Sequence, residues 1–167
     1  DFGSVSILWS QPIASLQVLG RDNVWRTVRH KPNALIVNLG DALYFLSGGY
    51  LRATIHRVVA PPDDQLHYRR LNVLYFSKFD NDVKLTPIKE SPIARKADEF
   101  NQLWHEQIHS GQAIPTSQEW NALRVSRYGQ NHAKLGNDGH HHETIAGHKV
   151  TLYNDTATKS TRTEIAA

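Results

Sequence analysis

The stretch that decides the fold is "YLRATIHRVVAPP", residues 50–62. Its β-branched residues predict a strand, and the proline pair predicts where that strand ends. His56 lies in the middle of the stretch, with Thr54 and Val58 as its neighbours on the same strand face. An imidazole in this position is either a tolerated core residue or a ligand that the strand holds rigidly for chemistry.

Segments of strand length surround this stretch and alternate with turn sequences. Because no helical segment separates them, they predict an antiparallel sandwich or barrel instead of βαβ units. The predicted strands are "SVSILWS" (4–10), "SLQVL" (15–19), "VWRTV" (24–28), "ALIVNL" (34–39), "ALYFL" (42–46), "ATIHRVV" (53–59), "RLNVLYFSKF" (70–79) and "VKLTPI" (83–88).

The pattern changes to helical after this series of strands. Residues 91–111 predict one helix with a Ser-Pro start, apolar residues at helical spacing and a glycine stop. Residues 116–129 predict a second helix, which opens with a Thr-x-x-Glu capping box. A loop rich in Gly, His and Asn is expected over 129–143, and "HKVTLYN" (148–154) predicts a further strand.

Composition narrows the class of protein. The chain has 167 residues, is 40% hydrophobic and contains neither cysteine nor methionine. The missing cysteines exclude disulfides, thiolate nucleophiles and cysteine zinc sites. The missing methionine, the initiator included, indicates that the sequence is a fragment of a longer protein. With no signal peptide and no apolar run of roughly 20 residues, we expect a cytoplasmic protein without a membrane span.

The charge pattern bears on the choice of partner. A net charge of +3 and a pI near 9.2 are compatible with nucleic-acid binding. However, Lys and Arg are scattered among acidic residues and form no basic stripe. We therefore expect a mildly basic surface, no nucleic-acid partner and no membrane partner.

A second candidate functional residue, Arg70, lies in "RRLNVLYF" (69–76). Both faces of this strand are apolar beyond its first residues, so we expect the strand to be covered on both sides. Arg70 would then be drawn inward, and a desolvated guanidinium needs an anionic partner. That partner is either a protein carboxylate or a ligand carboxylate gripped by the planar fork. Since His56 lies one strand earlier, the pair suggests metal chemistry combined with acid binding.

An ordered set of segments resembles a known family. "DFGSVSILWSQPIASLQVL" (1–19), "WRTVRHKPNALIVNLGDALYFLSGGYLRATIHRVV" (25–59) and "RLNVLYF" (70–76) are similar to the catalytic core of the non-haem Fe(II), 2-oxoglutarate-dependent dioxygenases. The isopenicillin-N-synthase-like branch is nearest, its fungal members especially. The resemblance covers roughly residues 1–90 and, more loosely, the helical end with "IAGHKVTLYN" (145–154).

The resemblance implies a site. The family holds iron with His-x-Asp and a distant His, so Asp1 and His56 would be catalytic metal ligands. The first histidine of that motif would stand two positions before Asp1. The family's Arg-x-Ser motif, which binds the cosubstrate carboxylate, maps to Arg70 and Asn72, with Asn in place of Ser. An amide still donates to a carboxylate.

The resemblance also implies the fold and the activity. The fold would be mainly β, a double-stranded β-helix or jelly roll with C-terminal α-helices. Residues 1–90 would form the jelly-roll core without its N-terminal part, 91–155 a helical extension that packs on the core, and 156–167 a disordered tail. The cofactors would be Fe(II) and the cosubstrate 2-oxoglutarate. The protein, expected to be a monomer, would use O2 to hydroxylate, desaturate or cyclise a small molecule, in secondary metabolism.

Three alternatives stay open at this point. The chain is a non-catalytic jelly-roll binding module if the first histidine is truly missing. It is an O2-dependent oxidase of the same family if it does not use 2-oxoglutarate. "HEQIH" (105–109) matches the zinc-peptidase pattern H-E-x-x-H, but it is followed at once by a helix-ending glycine and by no convincing third ligand. The run His140–His142 is typical of a solvated loop.

Overall fold

The computed structural model describes residues 1–9, 11–128, 130, 132–153 and 164–165. Strands predominate in the first half and most of the helices follow them. The helices are α1 (Asp41–Leu46), α2 (Pro92–Asn101), α3 (His105–Ser110) and α4 (Ser117–Arg127). The strands are β1 (Val5–Trp9), β2 (Leu16–Leu19), β3 (Trp25–Val28), β4 (Leu35–Leu39), β5 (His56–Val58), β6 (Leu74–Phe76), β7 (Lys134–Leu135), β8 (His141–Ile145), β9 (His148–Leu152) and β10 (Glu164–Ile165).

The strands form three sheets, with orders β4-β1-β6, β10-β3-β2-β5 and β7-β8-β9. Strand β1 pairs antiparallel with β6, and β2 pairs antiparallel with both β3 and β5. The pairing of β10 with β3 is parallel. The predicted antiparallel, strand-rich class is therefore confirmed. Every helix among the described residues is too short or too polar to span a bilayer.

The chain divides into two compact units. The first contains Asp1–Val5, Leu39–Ala53 and Ser77–Thr156, and the second contains Ser6–Asn38, Thr54–Phe76 and Ala157–Ala167. The main core belongs to the first unit and consists of buried residues from α1, α4, β8 and the segments between them: Ala42, Phe45, Leu85, Trp104, Trp120 and Ile145. Apart from β10, the predicted tail at 156–167 lies outside the described residues.

One predicted strand is a helix. The segment "ALYFL" forms most of α1, which begins after an extended Gly40. Its buried residues are Ala42, Phe45 and Leu46, at positions i, i+3 and i+4. This is the spacing of one helix face, so the strand prediction was wrong because a short apolar run fits both periods.

The predicted helix over 91–111 is divided into α2 and α3. Gln102 adopts a left-handed conformation with φ of 48° and ends α2. The break lets Trp104 bury its ring while its Nε1 donates a hydrogen bond of 2.7 Å to the carbonyl of Leu85. The second predicted helix is confirmed as α4, with both capping-box hydrogen bonds between Thr116 and Glu119.

Most of the third sheet was not predicted from the sequence. The expected loop at 129–143 contains β7 and the start of β8, and only β9 was predicted. Strands β8 and β9 join through Ala146 and Gly147, both with positive φ, as a two-residue hairpin turn requires. The predicted strand 83–88 contributes one isolated bridge, between Lys84 and Thr116.

Candidate functional site

His56 opens strand β5, at the side of the central strand β2. It lies opposite Val18, while the next residue, Arg57, lies opposite Gln17. The Arg57 guanidinium donates a hydrogen bond of 2.9 Å to Gln17 and stacks 4.1 Å above the Trp25 ring. Gln17 and Trp25 are both buried. Because neighbouring strand residues point to opposite faces, the His56 imidazole projects from the other face of the sheet.

The His56 ring is held in one tautomer. Its Nδ1 lies 2.9 Å from the carbonyl oxygen of Thr54, and the imidazole is half-buried. Since a carbonyl only accepts hydrogen bonds, Nδ1 carries a proton, and in a neutral imidazole the lone pair is then on Nε2. A backbone hydrogen bond of this kind orients metal-binding histidines and fixes their tautomer. The role of His56 as a metal ligand stays a prediction.

Asp1 lies in a segment that is fixed against the start of α1. Its carbonyl accepts a hydrogen bond of 2.9 Å from the amide of Asp41, and the carbonyl of Gly3 accepts one of 3.1 Å from Ala42. A side chain at Gly40 would collide with the backbone of Gly3, so this close approach depends on glycine. The Asp1 residue is half-buried. The start of α1 therefore positions the backbone of Asp1. The sequence had predicted a strand at α1.

Arg70 and Asn72 lie in the irregular segment just before β6, and both are half-buried. Among the described residues, neither side chain has a hydrogen-bond or ion-pair partner. Backbone pairing reaches this segment, because the amide of Trp9 donates a hydrogen bond of 3.0 Å to the carbonyl of Val73. Of the two partners considered for Arg70, the protein carboxylate is therefore not present in the described part of the chain. Arg69, its neighbour, is exposed.

The expectation that this strand is covered on both faces is wrong. Tyr75 and Phe76, which point to opposite faces, are 65% and 53% exposed. Leu71 and Val73 are also largely exposed. The apolar pattern of this strand allows both faces to be buried, but no described residues bury its side chains.

The four predicted site residues are divided between the two units. Asp1 belongs to the first, while His56, Arg70 and Asn72 belong to the second. Within the second unit, His56 is on the sheet of β2, and Arg70 and Asn72 lead into the sheet of β1. The described residues contain no cluster of three or more His, Cys, Asp or Glu side chains suited to hold a metal.

The zinc-peptidase alternative gains no support. His105 and His109 lie on the exposed face of α3 with their Nε2 atoms 2.9 Å apart. No third protein ligand accompanies them among the described residues. His142, in the histidine run predicted as a loop, lies on β8 and contacts Asp138 at 2.7 Å and Thr151 at 3.1 Å.

The first unit also contains a cavity of about 450 Å³, between α4 and the β8–β9 hairpin, that no sequence motif indicates. Two arginines of α4 line it, and each already has an anionic partner. Arg127 pairs with the buried Glu143 at 2.8 Å, and the Arg124 Nε lies 3.4 Å from Asp41. These partners are 16 and 83 residues away along the chain, so no local motif could reveal them.

Comparison with known proteins points to one family. Residues 1–78 match the family model of the 2OG-Fe(II) oxygenase superfamily. The chain is 37% identical over 91 residues to jasmonate-induced oxygenase 3 of Arabidopsis thaliana, covering 54% of this chain and 24% of the relative. It is 35% identical over 109 residues to the 2-oxoglutarate-dependent dioxygenase frbH of a Dothideomycetidae species, covering 64% and 31%. The chain thus spans about a quarter to a third of these relatives.

Solved structures agree on the fold. One aligned structure is a Caulobacter crescentus protein assigned to the 2OG-Fe(II) oxygenase family. The alignment has a TM-score of 0.60 and 25% identity, and it covers 77% of this chain and 38% of that one. A full-length Neurospora crassa protein, crystallised in complex with alpha-KG, aligns with a TM-score of 0.56 and 20% identity, over 75% and 35%. The latter similarity concerns the fold alone.

Proposed function

We propose that this chain contributes to the catalytic domain of a Fe(II)- and 2-oxoglutarate-dependent oxygenase, because residues 1–78 match the family model of the 2OG-Fe(II) oxygenase superfamily. The observation that carries the proposal is that this matched region contains all four predicted site residues. The proposed fold is a jelly roll over residues 1–90, with 91–155 as an extension that packs on it. The proposed substrate is a small organic molecule, in keeping with a role in secondary metabolism.

The proposed iron ligands are Asp1 and His56. A carboxylate and a neutral imidazole suit ferrous iron, whose common protein site combines two histidines with one carboxylate. The hydrogen bond from His56 Nδ1 to Thr54 supports this role, since it directs the lone pair to Nε2. The third ligand of such a site is not among the described residues.

The proposed anchor for the cosubstrate is Arg70, assisted by Asn72. A half-buried guanidinium that contacts no acid in the described part of the chain is suited to a bidentate contact with a ligand carboxylate. Asn72 follows two residues later, and its side-chain amide would donate a hydrogen bond to the same anion. Bound iron, with O2 and 2-oxoglutarate, would supply the oxidising power and release succinate and CO2.

An anaerobic titration of the full-length protein with Fe(II) and 2-oxoglutarate tests the iron ligand. Formation of the chelate is followed by its weak visible charge-transfer absorption. We expect His56→Ala to abolish this band, because one of the proposed ligands is lost. The matched control is His67→Ala, which removes an exposed imidazole from the same unit and should leave the band intact. A band that survives His56→Ala would contradict the assignment.

The same titration tests the cosubstrate anchor. Hydrogen bonds to charged groups contribute about 1.5–3 kcal/mol, so Arg70→Ala should weaken 2-oxoglutarate binding by about 10- to 100-fold. Arg69→Ala, at the exposed neighbour, is the control and should bind normally. Iron binding that does not respond to 2-oxoglutarate would favour the oxidase alternative. A full-length protein that binds no iron would favour the non-catalytic module.

A further inference from the structure

The two histidines of α3 lie on a helix that is firmly anchored. Trp104, just before the helix, is 2% exposed, and Gln107, in its middle, is 3% exposed. The amide of Ile108 bonds to the Trp104 carbonyl, and the amide of Gln112 bonds to the Gln107 carbonyl, both at 2.9 Å. The helix ends at Gly111 with φ of 72°. The inner side of α3 is thus buried, and His105 and His109 lie on its exposed outer side.

The imidazoles of His105 and His109 converge on one point. They are one helical turn apart, and their Nε2 atoms are 2.9 Å from each other. Their ring centroids are 4.2 Å apart, with the rings inclined at 66°. A single proton between the two nitrogens accounts for this contact in the absence of any other ligand. The same two nitrogens are positioned to share one metal ion in place of that proton.

The spacing of the nitrogens allows both to bind one ion. Imidazole nitrogens bind first-row metals at about 2.05 Å, so two of them on one ion lie about 2.9 to 3.4 Å apart. The 2.9 Å contact is the length of a hydrogen bond, and it shows that the two rings reach this separation on the helix. Imidazole is a ligand for Cu(II), Ni(II) and Zn(II), and Cu(II) binds most tightly in the divalent series.

We propose that His105 and His109 form a two-imidazole chelate for a late first-row divalent ion, Cu(II) in preference to Ni(II), on the outer face of α3. No third protein ligand is present among the described residues, so water or an added ligand occupies the remaining positions. The site is separate from the proposed iron ligands and does not depend on the proposed oxygenase function.

Calorimetric titration of the 167-residue chain with Cu²⁺ tests the chelate. Loss of one of only two ligands should cost at least as much as loss of an outer-shell partner, so His105→Ala and His109→Ala should each weaken this binding event by more than about tenfold. The control is His67→Ala, an exposed histidine whose ring stacks on Tyr68 instead of a second histidine. We expect its Cu²⁺ affinity to change less than about twofold, since no ligand is removed.

Two further measurements sharpen the test. The electron paramagnetic resonance spectrum of the Cu²⁺ complex should show coupling to two nitrogens, and each α3 variant should lose it. Repeating the titration on His56→Ala separates this ion from any held at the proposed iron site. Unchanged Cu²⁺ affinity in both α3 variants would overturn the chelate. An equal loss in His67→Ala would also overturn it, because binding would then be a property of exposed imidazoles in general.

Discussion

His148 shows most directly how a single residue depends on its surroundings. Its ring lies 4.9 Å from Phe45, 5.5 Å from Trp104 and 6.2 Å from Trp120. Burial among these rings lowers the pKa of His148 below its ordinary value, although a hydrogen bond with the Leu103 backbone and the charge of Asp41 oppose the shift. The nearby charge of Arg124 lowers the pKa further. The folded protein therefore holds this imidazole neutral.

The resulting pH dependence has a defined sign. The unfolded chain takes up a proton at His148 near pH 6.5, whereas the folded chain does so only at lower pH. The unfolded state thus binds more protons, and the free energy of unfolding falls as the pH drops below about 6.5. We expect a contribution of at most about 1.4 kcal/mol per pH unit. Urea unfolding between pH 7 and 5 measures it.

The matched variant for this prediction is His148→Phe. A phenyl ring fits an aromatic environment and cannot titrate, so the slope between pH 7 and 5 should decrease. His67→Ala, at an exposed histidine, should keep the slope of the natural chain. If His148→Phe retains the full slope, other groups cause the acid sensitivity.

The alternation of residues along a strand predicts the face on which a side chain lies, but it does not predict whether that face is buried. The hydrogen bond from Arg57 to the buried Gln17 places Arg57 on the covered face of β5, and alternation along the extended backbone then assigns His56 to the other face. The expected burial around Arg70 was wrong, since burial depends on which parts of the chain cover a strand. Whether Arg70 has an acid partner also depends on tertiary contacts, and the described residues offer none. Whether these residues bind iron and 2-oxoglutarate stays a prediction.

At the scale of elements, the start of α4 offers a clean test of local stabilisation. The Thr116 side chain accepts a hydrogen bond from the amide of Glu119 at 3.3 Å, and the Glu119 carboxylate accepts one from the amide of Thr116 at 2.8 Å. Removing the hydroxyl leaves one of the first helical amides without this partner. We expect Thr116→Ala to lower the free energy of unfolding by about 1 kcal/mol, measured by urea denaturation.

Thr116→Ser is the control for this cap. Serine keeps the hydroxyl that accepts the hydrogen bond, so its stability should lie close to that of the natural chain. Equal destabilisation by alanine and serine would mean that the threonine methyl group, and not the cap, stabilises α4.

Elements with strong local signals were predicted well, and those decided by packing were not. The capping box marked the start of α4 correctly because its hydrogen bonds are local. The apolar run of α1 was ambiguous, since its burial comes from residues of distant segments such as Trp120. The break before α3 requires a left-handed Gln102, which packing of Trp104 stabilises and composition does not indicate. Strand β8 is polar and rich in histidine, so its sequence indicated a loop, and only its pairing with β9 identifies it as a strand.

At the scale of the whole molecule, the sheet β4-β1-β6 presents an unusually apolar surface. Six large residues of its three strands and of the position just before β6 are more than half exposed: Trp9, Leu35, Val37, Val73, Tyr75 and Phe76. Soluble monomers seldom expose apolar patches beyond a few hundred Å², and a sheet normally packs at least one face on a core. Strand β6 also lies at the edge of this sheet, where backbone groups are open to pairing. The segments that match this chain make up only 24% and 31% of the two curated relatives, which are therefore longer proteins.

The 167 residues produced by themselves should therefore bind the dye ANS and self-associate, as light scattering measures. Val73→Thr combined with Tyr75→Thr should reduce both signals, because the two side chains share one face of the edge strand and threonine keeps β propensity. Val125→Thr, at an exposed valine on α4, is the matched control and should change neither signal. A longer polypeptide that covers the sheet should bind less ANS per chain. A monodisperse monomer without ANS fluorescence would contradict the expectation, since an uncovered apolar sheet would then have no measurable consequence in water.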